Sequence, residues 1–490
     1  MKILCLNPPF KTEYGRYSRS SRSPAITKSG TIYYPIWLCY VAGGLQVAGY
    51  DVKIIDSCAY EFDVQQTLKI IIDFNPDLLI IDTSTASIYS DVSFGSDIKK
   101  SLPYSFIALM GTHPSALPKE TLQLNTSIDA IIVGEADQTA IELAEKLAEK
   151  LAANLQNKSF KDIDGLAYRD NDQIIINKRR EPISDLDTLP FISKVYQKHL
   201  DINKYFFAAS DFPEAQIITA RGCVAKCTFC VYPQTIHGSG YRTRSYMNVA
   251  DEFEWITKNM REVRQIGIED DTFTGDQKRV IDFCNEIINR KIKIKWYCNV
   301  RVNLKPETMD WMKRAGCALL TVGYESADNE ILKNINKKIT QDMIIEFSRN
   351  AKKCGLLVHG CFMAGNRGDT KETLEKSLDL ALKLNDDTMQ FFPLMAYPGT
   401  IDYEWAKKEG LLTVSSYSDY LTQDGNHNSV LKMVDMTSEE IRQWCNYARK
   451  KYYLRPSYIL YKLTQQIKHP AEIRRTFKTA KRFLKHLLWN

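Results

Sequence analysis

Among the 490 residues there is no apolar run of the ~18 needed for a membrane-spanning helix. Nor is there a Gly-x-Gly-x-x-Gly after the first apolar segment, which disfavours a dinucleotide site. Cysteines are almost never paired. Nine of the twelve (Cys5, Cys39, Cys58, Cys284, Cys298, Cys317, Cys354, Cys361 and Cys445) stand singly, mostly in apolar contexts. That pattern argues against a disulfide framework and for reduced, buried thiols, hence a cytoplasmic and anaerobic setting. No aromatic-and-basic module of the nucleic-acid-binding kind is present, so no nucleic acid is expected as a partner. Met1-Lys-Ile-Leu-Cys-Leu6 enters a strand at once, without the pattern of a signal peptide.

What is present fits a soluble globular protein of two to four domains, with 44% hydrophobic and 25% charged residues. The net charge of +6 is uneven: residues 449–490 carry twelve Lys or Arg against one acid, Glu472. The first 448 residues therefore hold 53 basic and 58 acidic side chains.

The other three cysteines lie within eight residues, in Arg221-Gly-Cys223-Val-Ala-Lys-Cys227-Thr-Phe-Cys230. They follow the apolar run Ala215–Ala220, read as a buried strand, and so fall on the loop at its C-terminal end. Thiolates packed this closely repel one another and need a strong Lewis acid, an iron–sulfur cluster or a zinc ion completed by His237. Zinc ligands usually come in separated pairs, and no second pair follows. The C-x3-C-x2-C spacing, with Phe229 before the last cysteine, resembles the cluster loop of the radical S-adenosylmethionine (SAM) enzymes. The resemblance implies a [4Fe–4S] cluster held by Cys223, Cys227 and Cys230, its fourth iron left open to the amino and carboxylate groups of SAM.

In residues 1–150 short apolar runs (Ile3–Leu6, Val52–Ile55, Leu78–Ile81, Phe106–Leu109, Ala130–Val133) alternate with helical patterns, Tyr34–Ala48 being the first. The alternation predicts an α/β fold with a doubly wound parallel sheet, whose ligands sit beyond the strand C-termini. The loops there are Asn7-Pro8-Pro9, Thr83-Ser84-Thr85, Gly111-Thr112-His113 and Gly134-Glu135. Their order, with Tyr34-Pro35, Gly49-Tyr-Asp-Val52, Asp56 and His113-Pro114, resembles the cobalamin-binding (B12-binding) domain upstream of many radical SAM enzymes. That implies cobalamin contacts from these four loops. The Asp-x-His-x-x-Gly signature of a histidine ligand to cobalt is absent, so a cobalamin with no protein imidazole beneath it is expected. His113 is the nearby candidate for such a ligand, and Pro114 fits a turn role equally well. The alternative is an empty flavodoxin-like fold.

Residues 151–205 read as a linker with a hairpin around Asp170-Asn-Asp172 and no chemistry. Residues 206–415 read as a full or partial (β/α) barrel of radical SAM type, with polar residues at successive strand ends. Carried over from the family, Glu269, Asp270 and Asp271 would contact the SAM amino group or ribose. Arg301 would reach its carboxylate or ribose, Glu325 and Ser326 its ribose, and Gly365 would let the backbone approach the adenine. The family's Gly-x-Pro-Gly is here Ala364-Gly-Asn-Arg-Gly368. Cys298 and Cys361 are read as packing residues, with a substrate-facing thiol as the alternative.

Residues 416–490 form a helical basic region whose last segment repeats apolar residues from Ile473 to Leu488, with Lys and Arg between and Trp489 at its end. It suits peripheral contact with an anionic inner membrane surface, or docking on the barrel. The whole order resembles the cobalamin-dependent radical SAM enzymes, including methyltransferases and the anaerobic magnesium-protoporphyrin monomethyl ester cyclase group. The implied reaction starts with reductive cleavage of SAM to a 5′-deoxyadenosyl radical, fed by an electron donor such as flavodoxin or ferredoxin. Methylation of an unactivated carbon of a lipid or other hydrophobic small molecule would follow. Cyclisation or oxidation is the enzymatic alternative, and a cobalamin- or membrane-binding module with a vestigial cluster the non-enzymatic one. A methylthiotransferase acting on transfer RNA is disfavoured, because Cys5, Cys39 and Cys58 do not form a second cluster motif.

Overall fold

A computed structural model describes residues 1–153, 159–171, 173–238 and 240–468. The amphipathic segment Ile473–Leu488 and Trp489 lie outside the described residues.

The apolar runs become strands, because side chains alternating across a pleat bury both faces when helices cover the sheet. The first sheet contains β1 (Lys2–Asn7), β2 (Asp51–Asp56), β3 (Leu78–Thr83), β4 (Phe106–Gly111) and β5 (Ala130–Ile132), all parallel, in the order β2-β1-β3-β4-β5. Helix α1 (Ile36–Val47) starts after Pro35 and ends before Gly49, whose φ of +90° allows the chain to turn into β2. The expected hairpin forms as β6 (Leu166–Asp170) and β7 (Gln173–Ile176). It is part of the first sheet: β6 pairs antiparallel with β5 and extends the sheet to seven strands.

The second sheet has six parallel strands in chain order: β8 (Glu214–Ile217), β9 (Gln265–Ile268), β10 (Lys295–Val300), β11 (Cys317–Glu325), β12 (Leu357–Ala364) and β13 (Thr388–Pro393). It is the partial barrel, an arc of six strands where a closed barrel has eight. The run Ala215–Ala220 is not one strand. It stops at Ile217 because Asp270 takes both the backbone N–H of Thr219, at 2.5 Å, and its hydroxyl, at 2.6 Å. Ala220-Arg221 instead pairs antiparallel with Arg242-Thr243, and this ribbon carries the cysteine loop.

Glu214, on the first strand of the arc, is fully buried and accepts a hydrogen bond from Gln216 at 3.1 Å. Burial pushes its carboxyl up to about 8. Folded Glu214 thus holds its proton above the unfolded value, so its stabilising contribution is complete below about pH 4.5 and is lost as pH rises toward 8. Glu214→Gln removes that dependence. Near pH 9 the variant should unfold at higher temperature than the parent, by an amount worth up to a few kcal/mol. Parallel pH–stability curves for the two proteins would refute the assignment.

Candidate active site

The cysteine loop is shaped by local contacts. Gly222 has φ +80°, and a Cβ there would lie 1.9 Å from the carbonyl oxygen of Gly240, so only glycine fits. The Gln234 side-chain amide donates to the carbonyls of Cys230 (2.8 Å) and Thr228 (3.1 Å), and Asn336 donates to that of Lys226 (2.7 Å). These bonds fix the loop so that Cys223, Cys227 and Cys230 line one wall of a cavity of about 2320 Å3. Burial, then Asp271 and the two neighbouring sulfurs, push the Cys230 thiol well up. Burial likewise raises Cys223. Three thiolates become tolerable here only around a strongly cationic centre, which is the condition an iron–sulfur cluster meets. Among the described residues no three His, Cys, Asp or Glu side chains converge as ligands of a single ion. His237, the residue considered for completing a zinc site, gives its Nδ1 to Glu135 at 3.0 Å.

Phe229, Glu269, Asp271, Arg301 and Glu325 share that cavity wall with the cysteines. Arg301 holds one guanidinium nitrogen 4.0 Å from the sulfur of Cys227 and donates with another to the carbonyl of Lys337 at 2.5 Å. Lys337 donates to Glu325 at 2.7 Å, and its ammonium lies 5.7 Å from the ring centre of Phe229. Two cations thus stand beside the thiol loop, where a cluster with three thiolate ligands would place negative charge. Glu269 accepts from Tyr297 (3.0 Å) and Asn299 (3.2 Å).

Three residues expected at this site lie outside the cavity lining. Asp270 is fully buried beneath the loop, its carboxylate committed to Thr219. Ser326 is buried and accepts from the backbone N–H of Asp328 at 3.1 Å. Gly365 has φ +88° and donates its N–H to Asp369 at 3.0 Å, turning its backbone away. Cys298 is fully buried, whereas Cys361 lines the cavity.

At the C-terminal edge of the first sheet, Thr83, Ser84, Thr85, Gly111, Thr112, Gly134 and Glu135 surround a second cavity of about 40 Å3. Ser20, Arg22, Trp37, Val231, Tyr232 and Tyr397 line both cavities. Small side chains and two glycines line these strand ends, and because the two cavities share lining, a bulky cofactor would draw on both; Gly111, with φ +124°, could carry a Cβ only 2.1 Å from the carbonyl of Thr83. Asn7, Pro8, Pro9 and His113 lie outside the lining. Asn7 donates to Asp56 at 2.7 Å and accepts from Arg19 at 2.6 Å, and Arg19 also takes the carbonyl of Pro8 at 3.0 Å. That buried arginine, paired with Asp91, draws the Asn7-Pro-Pro loop inward. His113 is buried edge-on against Tyr417, with ring centres 4.5 Å apart and both nitrogens free of hydrogen bonds. Burial lowers it to about 4, so the ring is neutral.

Sequence reasoning missed Arg22, Gln234 and Lys337. Arg22 crosses from the connection between β1 and α1 to the acidic loop after β9. There it donates to the carbonyls of Glu269 (2.9 Å) and Asp270 (2.7 Å) and lies 3.3 Å from the Glu269 carboxylate. The signal was the length of that connection, far above the usual 2 to 6 residues. A buried ionic network also joins the two sheets. Arg221 grips Asp137 with two bonds, at 2.7 and 3.0 Å, and lies 3.5 Å from Glu135, which also holds His237 and Arg242.

Residues 217–381 match the radical SAM superfamily and residues 22–144 the B12 binding domain. The chain is 31% identical over 461 residues to an uncharacterized methyltransferase of Pyrococcus horikoshii, covering 94% of each. It is 27% identical over 369 residues to the anaerobic magnesium-protoporphyrin IX monomethyl ester cyclase of Rubrivivax gelatinosus, covering 74% of this chain and 64% of that one. Its fold is similar to the radical SAM methyltransferase TsrM from Kitasatospora setae, solved with cobalamin and a [4Fe–4S] cluster bound. There the TM-score is 0.68 at 16% identity, over 93% of this chain and 89% of that one.

Proposed function

We propose, because this chain belongs to the radical SAM superfamily and carries a B12-binding domain, that it methylates an unactivated carbon of a lipid or other hydrophobic small molecule. The observation that carries the reading is the shared wall: three cysteines, the carboxylates of Glu269, Asp271 and Glu325, and Arg301 face one cavity of about 2320 Å3. Single-ligand pockets are usually roughly 300–1,000 Å3, so there is room for SAM and a substrate together. When bound, the cluster would supply the electron that cleaves SAM, and cobalamin the methyl group.

The chain's own residues do the positioning. Cys223, Cys227 and Cys230 would hold the cluster. Glu269 and Asp271 offer anionic partners for an ammonium, and the planar guanidinium of Arg301 suits a carboxylate. Thr83–Thr85, Gly111, Thr112, Gly134 and Glu135 would cradle cobalamin. Tyr232 and Tyr397, which line both cavities, would lie where the two cofactor sites meet. A flavodoxin or ferredoxin would deliver the electron. No helix among the described residues is long and apolar enough to cross a membrane; peripheral contact through the basic C-terminal region belongs to this proposal.

A cyclase-type oxidation is the second reading, favoured by the similarity to the Rubrivivax protein. Anaerobic reconstitution with iron, sulfide and hydroxocobalamin, followed by metal analysis, tests the first. Both iron and cobalt should be retained, and methyl-labelled SAM should give labelled product with S-adenosylhomocysteine and 5′-deoxyadenosine. Iron without cobalt would remove methyl transfer and leave the radical chemistry. A product without label would favour the cyclase reading.

A further inference from the structure

Helix α2 (Ser438–Tyr453) packs on β13, the last strand of the arc, while the cysteine loop follows β8, the first. Five inter-strand steps of about 4.8 Å each separate those strands along the sheet. At helical spacing, α2 turns Arg442, Asn446, Arg449 and Lys450 toward the large cavity, and Lys28 lines the same cavity from the β1–α1 connection. Arg442 is neutralised by Glu439, at 2.6 and 2.8 Å. Arg449 donates only to neutral acceptors, the carbonyl of Phe391 at 2.9 and 3.1 Å and Asn446 at 2.7 Å. Among the described residues, Lys28, Arg449 and Lys450 form no ion pair. Burial lowers Lys28, and Arg449, Arg442 and Lys450 lower it further against the opposing pull of Asp424. Glu439, Asp424 and Asp387 line the cavity too, but Glu439 is taken by Arg442, Asp424 accepts from Thr422 and Asn426, and Asp387 from Tyr461. Among the described residues, that leaves Lys28, Arg449 and Lys450 without an ion-pair partner in a partly buried wall, an excess of positive charge that calls for an anionic partner.

We propose that Lys28, Arg449 and Lys450 form a subsite for an oxyanion, a carboxylate or phosphate, carried by the substrate on an apolar body. The rest of the wall away from the cysteines supplies the apolar contacts, from Leu319, Leu357, Met389, Phe392 and Met395. This rests on the methyl-transfer reading only for what happens at the cysteine end.

The test is fluorescence titration of the full-length protein with cis-parinarate, a long-chain carboxylate, and with its methyl ester. The acid should bind roughly tenfold to a hundredfold more tightly than the ester. Lys28→Glu combined with Lys450→Glu should weaken the acid by a similar factor, while Lys28→Arg with Lys450→Arg should restore it. Equal affinity for acid and ester, or indifference to charge reversal, would overturn the proposal. Displacement by hexadecyl phosphate and not by inorganic phosphate assigns the oxyanion to an amphiphile. Displacement by inorganic phosphate alone, or by hydroxocobalamin, would assign the cations to a free ion or to the cofactor, and would overturn it. Charge-dependent binding in a protein that retains no cobalt would sink methyl transfer and leave the subsite standing.

Discussion

Alanine in place of Cys223, Cys227 or Cys230 will leave the anaerobically reconstituted protein without iron–sulfur absorbance, and 5′-deoxyadenosine formation will fall to that of a protein-free control. The three sulfurs stand on one loop whose carbonyls are pinned by Gln234 and Asn336, so the loop is held in place and cannot rearrange to make up for a missing thiolate. Cys361 lines the same cavity but sits in β12, away from the loop. Losing one of three ligands therefore costs the site itself. Cys298→Ala is the comparison: its thiol is fully buried and away from the cavity lining, so its cost should be limited to about 1 kcal/mol of packing. Cluster absorbance surviving in any of the three loop variants would end the assignment.

Arg221→Met should destabilise the folded chain by about 3–5 kcal/mol, the usual cost of removing one partner from a buried ion pair. Arg221 is 1% exposed, between the rings of Trp37 and Tyr40, and its fork fills the carboxylate of Asp137 while facing Glu135. Methionine would occupy the slot but leave two acids with less compensation. Burial works to raise Glu135, but hydrogen bonds from His237 and Arg242 and the charge of Arg221 outweigh it and hold the carboxyl well below its ordinary range. Its stabilising contribution is therefore present above about pH 4.5 and is lost as pH falls toward the depressed folded value. The variant should be less stable at neutral pH and should lose less on acidification, as read by thermal unfolding. A loss below about 1 kcal/mol would show that the network contributes no more than an exposed pair. Because Arg221 directly precedes the loop, lower iron retention should accompany the loss of stability.

Much of the site was legible because its chemistry is local. Three thiols within eight residues must crowd whatever the fold, and short apolar runs set apart by helical patterns can hardly avoid a parallel sheet. Other assignments depended on direction. Glu269, Asp270 and Asp271 are consecutive, and a loop sends neighbouring side chains to different sides; Glu269 and Asp271 reach the cavity while Asp270 is turned under to hold Thr219. His113 looked available on its loop, yet Tyr417, three hundred residues downstream, lies against its ring. The hairpin read as linker extends the first sheet because β5 offered an open edge.

By itself, the sequence determined the cysteine loop, the strand-and-helix alternation and the two kinds of domain it builds, since each rests on spacing within a few residues. Only the tertiary structure decided which strand-end residues face a cavity, that Arg22 reaches the acidic loop 247 positions away, and that unmatched cations gather along α2. The physical reason is that spacing fixes what can be neighbours along the chain, whereas burial and charge pairing across it are settled only when the two sheets close on one another.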